Sequence, residues 1–162
     1  MADKPEVRIL AILQNQWFKN PAEVREIYER NPELRNQLIA RFLFMGCLTG
    51  RRLRAAFGDL CDSIIWEEAS PEIGGFSASK FVPDPEHIKA AIERHQPEIV
   101  ICLGKIAGDA VRSVCCETNV RHPAVMFGPH PAARVDPMPA LREIGKTLNA
   151  RRAMTNYYAV NG

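Results

Sequence analysis

The residues best equipped for chemistry in this chain stand where short apolar runs stop. The run AVMFG (124–128) ends in Pro129-His130-Pro131, with Arg134 just beyond. A neutral imidazole donates one hydrogen bond, and the flanking prolines leave the loop few conformations to lose. His130 could therefore meet developing negative charge from a fixed position. The run VRILAIL (7–13) ends in Gln14-Asn15-Gln16-Trp17. An amide has no pKa useful for proton abstraction, but the Asn15 carbonyl can orient a water and its NH2 can bond a ring edge. Gln14 and Gln16 offer similar contacts, and Trp17 or Phe18 offers a flat face for stacking. SIIW (63–66) is followed by Glu67-Glu68, where a carboxylate beside Trp66 could accept from an amino group or place a water. Gly104-Lys105 follows EIVICLG (98–104), but GKIAGDA lacks the spacing of a nucleotide-binding P-loop.

Positioning these groups requires a scaffold, and its punctuation is readable. Asn20-Pro21, Asn31-Pro32, Asp84-Pro85 and Asp136-Pro137 share one signature. The Asx side chain can cap a first helical turn, and proline next to it lacks an N–H that would have been orphaned. Asn20 with Glu23 also fits a capping box. Apolar residues follow at helical spacing: Val24, Ile27 and Tyr28; Leu34, Leu38, Phe42 and Met45; Ile88, Ala91 and Ile92, closed by Pro97; Leu141, Ile144 and Leu148. A shorter helix is predicted from about Arg51 to Phe57, stopped by Gly58, and another over 105–114. The four apolar runs do not alternate with polar residues, which suits strands covered on both faces. The order strand, helices, strand, helix, strand, helix, strand, helix predicts a three-layer α/β/α domain with a short, mostly parallel four-stranded central sheet. In such a sheet ligands bind beyond the carboxyl ends of the strands, which is where the chemical residues fall. The tail NYYAVNG is expected to be loosely held.

The 162 residues suit one domain, 1–162, with one core; 46% apolar and 25% charged residues suit a soluble globule. A net charge of +2 diagnoses no partner by itself. No run is long enough for a membrane span, and MADKPEVRI has no signal-peptide core, so the expected address is cytoplasmic. The five cysteines, Cys47, Cys61, Cys102, Cys115 and Cys116, include no C-x-x-C pair. They argue against a disulfide framework and against a zinc or iron–sulfur site, and read as small buried apolar residues.

Taken in order, the loops resemble those of the uracil-DNA glycosylase superfamily. His130-Pro131-Ala132-Ala133-Arg134 matches its last-strand motif, and Leu13-Gln14-Asn15-Gln16-Trp17 matches its first motif in part. TGRRLRAAFG (49–58) and PEIVICLGKIAGDAV (97–111) are similar to segments of the wider superfamily. Leu13 and Gln16 replace the glycine and proline of the first motif, and Asn15 stands where one branch has aspartate. The resemblance covers roughly residues 7–150 and implies a monofunctional DNA glycosylase. Such an enzyme flips a base from DNA and hydrolyses its N-glycosidic bond without metal or cofactor, leaving an abasic site. It implies Asn15 and His130 as catalytic, and Gln14, Gln16, Trp17, Trp66 and Glu67 around the base. Arg51, Arg52, Lys105, Pro131 and Arg134 would contact DNA. A monomer is expected.

Two substrates fit: uracil or another deaminated base, as in repair, or a modified cytosine such as the glucosylated hydroxymethylcytosine of some phage DNA, as in antiviral defence. The acidic pair leans toward the second, because a carboxylate suits an exocyclic amine and mismatches uracil O4. Plainer roles stand beside each assignment: His130 as a turn residue, Asn15 as a turn cap, the glutamates and arginine clusters (Arg51, Arg52, Arg54; Arg151, Arg152) as solvated faces. Two rival functions are a non-catalytic DNA-binding module with this fold and a small-molecule enzyme acting on a nucleoside.

Overall fold

A computed structural model describes residues 6–74, 82–115 and 123–161; of Trp17 and 157–161 it describes the backbone only. Cys116 lies outside the described residues. The strands are β1 (Ile9–Leu13), β2 (Gln16–Trp17), β3 (Ile65–Glu68), β4 (Ile73–Gly74), β5 (Ile99–Leu103) and β6 (Ala124–Gly128). The helices are α1 (Pro21–Arg30), α2 (Arg35–Leu43), α3 (Leu48–Phe57), α4 (Pro85–His95), α5 (Lys105–Cys115) and α6 (Met138–Asn161). Single 3-10 turns at Pro32–Leu34 and Gly58–Asp62 precede α2 and β3.

The four long strands form one sheet in the order β3-β1-β5-β6, every pair parallel. The fold is the expected α/β class with helices on both faces. One face of the sheet (Ile9, Ala11, Leu13, Trp66, Ile101) packs under α1, α2, α3 and α6 through Val24, Ile39, Leu53 and Leu141. The other (Leu10, Ile12, Val100, Cys102) packs on α4 and α5 through Ile88, Ala91, Ala107 and Val111. Full burial of β1 and β5 explains their unbroken apolar sequence. The fourth run differs from the expectation: β6 is a sheet edge and only partly covered, with Phe127 exposed beneath the Arg112 guanidinium. Two further residues on each side pair as a separate parallel ladder, β2 with β4, which the sequence pattern did not announce.

The caps refine the helix starts. Asp84 accepts from the Glu86 and His87 N–H groups, and Asp136 from Met138, as expected. Asn20 makes no side-chain cap, so the capping-box reading of Asn20 and Glu23 is corrected; proline alone marks that start. α3 begins before Arg51, because the Cys47 sulfur accepts from the Gly50 N–H. Only glycine fits there: a Cβ at Gly50 would lie 1.8 Å from the Leu43 carbonyl oxygen. Buried Cys61 and Cys102 match the apolar reading of the cysteines, whereas Cys47 is exposed. The backbone of the tail is helical through Asn161. No helix among the described residues is long and apolar enough to cross a membrane.

The second strand is displaced from its expected place, and the displacement matters. Ser63 and Ile64 close the 3-10 turn onto Leu60, so the strand starts at Ile65 and runs through Glu67 and Glu68. Both glutamates are buried. Glu67 is satisfied on every side: Arg35 donates at 2.9 Å, Asn36 at 3.1 Å and the Glu68 N–H at 2.9 Å, with His87 Nε2 at 3.1 Å. Burial alone would raise its pKa; hydrogen bonds from His87 and Arg35 and the Arg35 charge outweigh it and hold it at about 2. This cluster ties α2, β3 and α4 together.

Removing one partner of a buried ion pair leaves the other charge uncompensated. Glu67→Ala should therefore lower unfolding free energy by about 3–5 kcal/mol in urea titrations. Because the folded-state pKa is depressed, the Glu67 contribution is complete above pH 4.5 and lost as pH falls toward about 2. Acid unfolding in that window should be blunted in Glu67→Ala.

Candidate functional site

The chain leaves β1 for β3 on one side and reaches β5 on the other. That reversal opens a crevice at the carboxyl ends of the strands, where ligands bind in open α/β sheets. A cavity of about 750 Å³ occupies this end. It draws Gln14, Asn15 and Gln16 from the β1–β2 turn, Glu68 from the end of β3, and His130 and Ala132 from the loop after β6. Phe18, Phe42, Leu43, Met45, Cys47 and Thr49 complete the wall. Asn15 and His130, distant in sequence, thus share one cavity.

His130 is held in one orientation. Its Nδ1 accepts from the Ala132 N–H at 3.1 Å, which leaves the proton of the neutral ring on Nε2 as a donor. Burial lowers its pKa, so the ring is neutral at pH 7. The Ala133 N–H closes a turn on the His130 carbonyl at 2.9 Å. Behind the ring stands Gly104, with φ +103; a Cβ there would meet His130 Cβ at 3.1 Å. Arg52, from α3, donates to the Pro131 carbonyl at 2.7 Å. The loop is therefore stiff for reasons beyond its prolines.

Asn15 donates through Nδ2 to the Gln16 carbonyl at 3.3 Å; its Oδ1 is buried without a hydrogen-bond partner among the described residues. Gln16 Oε1 accepts from the Tyr28 hydroxyl at 2.7 Å, and burial pushes the Tyr28 pKa up to about 12, so this donor stays neutral. The Phe18 and Phe42 rings meet edge-on at 5.0 Å and give the cavity an apolar side. The β2 backbone pairs Trp17 with Gly74; the Trp17 side chain lies outside the description.

The sequence reading named the acidic pair Glu67-Glu68 but put Glu67 at the base; in the structure it is Glu68 that reaches the cavity. Successive strand residues face opposite sides, so while Glu67 turns to Arg35 and His87, Glu68 turns into the cavity. Its Oε2 is buried and unpartnered among the described residues. Burial, then the negative charge of Glu67, hold its pKa well above the ordinary carboxyl value against the pull of Arg35. Burial and the Glu67 charge thus favour the neutral acid form of Glu68 beside its ionised neighbour. Its signal in the sequence was two acidic residues directly after an apolar run; charge was read as the end of the strand.

Several expected site residues are placed elsewhere. Glu67 belongs to the charged cluster, so its assignment to the base is corrected. Trp66 is fully buried under the sheet; its ring N–H donates to the Cys61 carbonyl, and it does not line the cavity. Arg52 is committed to the Pro131 carbonyl and positions the loop. Pro131 is buried, and Lys105 pairs with Asp109. Arg51 and Arg134 are exposed. Arg54 lies over the Phe44 ring and pairs with Asp62. A second cavity, of about 770 Å³, opens beside α1 and α4 around Arg25, Arg35, His87 and Arg94. Glu67 pairs with Arg35 and lies 3.1 Å from His87, and the Ile73 carbonyl holds Arg25.

Arg52→Ala removes a charged donor from the loop and should cost about 1–2 kcal/mol. It should also raise the His130 pKa toward the ordinary imidazole value, read by NMR titration, as the freed loop lets water in.

No protein-family model matches the chain and no curated protein matches it in sequence, so a reading of its function rests on this cavity.

Proposed function

We propose that the protein is a DNA glycosylase that flips a nucleobase into the cavity at the strand ends and hydrolyses its N-glycosidic bond. The observation that carries this reading is the convergence of Asn15, Glu68 and His130 on one cavity bounded by aromatic rings. The volume suits a flat ligand of nucleoside size. Phe18 and Phe42 offer the ring an apolar surface. The departing base gains negative charge, and His130 Nε2–H is a fixed neutral donor for a ring carbonyl. The sugar gains positive charge and must be met by water; the unpartnered Asn15 Oδ1 can hold that water by one of its protons.

Exposed Arg51 and Arg134 suit phosphate contact. Met45 and Val135, 71% and 84% exposed, are apolar side chains beside the cavity and its histidine loop. Such side chains can wedge between base steps and hold a distorted duplex. The substrate is either uracil-type or a modified cytosine.

The reading is tested by incubating the protein with uracil-containing, hypoxanthine-containing and hypermodified DNA, identifying released bases by mass spectrometry and counting abasic sites. His130→Ala should slow release by about 100- to 1,000-fold, the usual cost of losing one donor to a developing anion. DNA affinity should stay within a few-fold and fall steeply with salt. DNA binding with no release of any base would identify a non-catalytic module. Salt-insensitive binding of a nucleoside would identify a small-molecule enzyme.

A further inference from the structure

We propose that Glu68 both reads the flipped base and protonates it, and that the base is a 4-aminopyrimidine, a cytosine with or without a substituent at C5, in preference to uracil. This rests on the glycosylase reading and narrows it. Three observations carry it. Glu68 ends β3 and points into the cavity that holds Asn15 and His130. It is 3% exposed, so its carboxyl contributes to the cavity and to little else. Its Oε2 has no hydrogen-bond partner among the described residues, although an unpaired buried polar atom is costly. A ligand that engages this oxygen recovers that cost.

A carboxylic acid presents a donor and an acceptor side by side. The cytosine edge presents the complement: ring N3 as acceptor and the 4-amino group as donor. Uracil can form two such hydrogen bonds, N3–H to the carboxyl carbonyl and the carboxyl O–H to O4. The difference lies in the next step. Cytosine N3 is a basic nitrogen with a free lone pair, whereas uracil N3 already carries its proton.

The Glu68 proton moves to cytosine N3, leaving carboxylate. The C1′–N1 bond breaks with its electron pair going to N1, and the base departs as a neutral N3–H tautomer. Water adds to C1′, and the proton it loses returns the carboxylate to the acid. The net change is hydrolysis. His130 donates to O2 throughout, and the carboxylate formed stays charged only until the attacking water supplies its proton.

The groups that set the protonation of Glu68 come from every element around it. Glu67 on its own strand opposes ionisation and Arg35 of α2 favours it. Tyr28 of α1 feels the Glu68 charge and is itself neutral. His130 and Cys47 line the same cavity. The net effect of burial and Glu67 keeps Glu68 an acid. The cavity is larger than a bare pyrimidine needs, which leaves room for a C5 substituent.

The test uses matched oligonucleotides that differ only at position 4: cytosine against uracil, and 5-hydroxymethylcytosine against 5-hydroxymethyluracil. Wild-type protein should release the amino member of at least one pair about 100-fold faster than its oxo partner, the low end of a general acid's worth. Its rate should fall as pH rises and Glu68 ionises. Glu68→Gln keeps a neutral donor and acceptor but cannot transfer a proton. It should cut release of the amino base by about 100- to 10,000-fold and lose the pH dependence, with DNA affinity unchanged. Faster release of the oxo members, or wild-type rates in Glu68→Gln, overturns the inference while glycosylase activity stands. No base released from any oligonucleotide overturns the glycosylase reading and this inference together.

Discussion

The geometry of the cavity depends on one constraint, the alternation of side chains along β3. Glu67 is gripped on one side by Arg35, Asn36 and His87. With that residue fixed, Glu68 has no choice but the other side, where the carboxyl ends of the strands open. A slip of one residue in the pairing of β3 with β1 would turn every side chain of the strand to the opposite face and carry Glu67 away from Arg35, Asn36 and His87. The ion cluster therefore acts as a register pin, and its main product is the placement of a different residue.

The same pair of neighbours divides the protonation states. The ionised member is paired with arginine and hydrogen-bonded; the neutral member is buried beside its neighbour's negative charge. Environments that push two carboxyls apart in pKa are a recurrent way of assigning acid and base roles at neutral pH. Around this pair the fold supplies rigidity. Gly104 admits the His130 ring, Arg52 ties the histidine loop to α3, and Tyr28 holds Gln16. Gly104, Arg52 and Tyr28 lie outside the lining of the cavity, and each removes a freedom from the residues that do line it.

Much of this was legible in the sequence, for identifiable reasons. Asx-Pro pairs marked four helical starts, because proline suits a first turn; the side chains of Asp84 and Asp136 cap theirs, and those of Asn20 and Asn31 do not. Unbroken apolar runs marked the strands, because parallel strands are covered on both faces. The switch-point rule then placed Asn15 and His130 at one end of the sheet, and they share a cavity there. What failed depended on partners remote in sequence. Glu67 looked like the base contact of the acidic pair because nothing local shows that Arg35 and His87 will reach it. Trp66 looked like a base contact because the groups that bury it, Phe44 and the Cys61 carbonyl among them, come from outside its strand. Arg52 looked like a phosphate contact because the carbonyl it serves lies in a loop far along the chain. The α2–α3 turn, with Met45, Cys47 and Thr49, gave no chemical signal and yet supplies one wall of the cavity.

The proposed chemistry turns on the protonation state of one carboxyl, and that can be observed without substrate. Carboxyl carbon NMR of the labelled protein, with Glu68→Gln as the assignment control, should show Glu68 in its acid form at pH 7 while Glu67 remains ionised at pH 4. A Glu68 signal that titrates at the ordinary carboxyl value, near 4.5, would contradict the account.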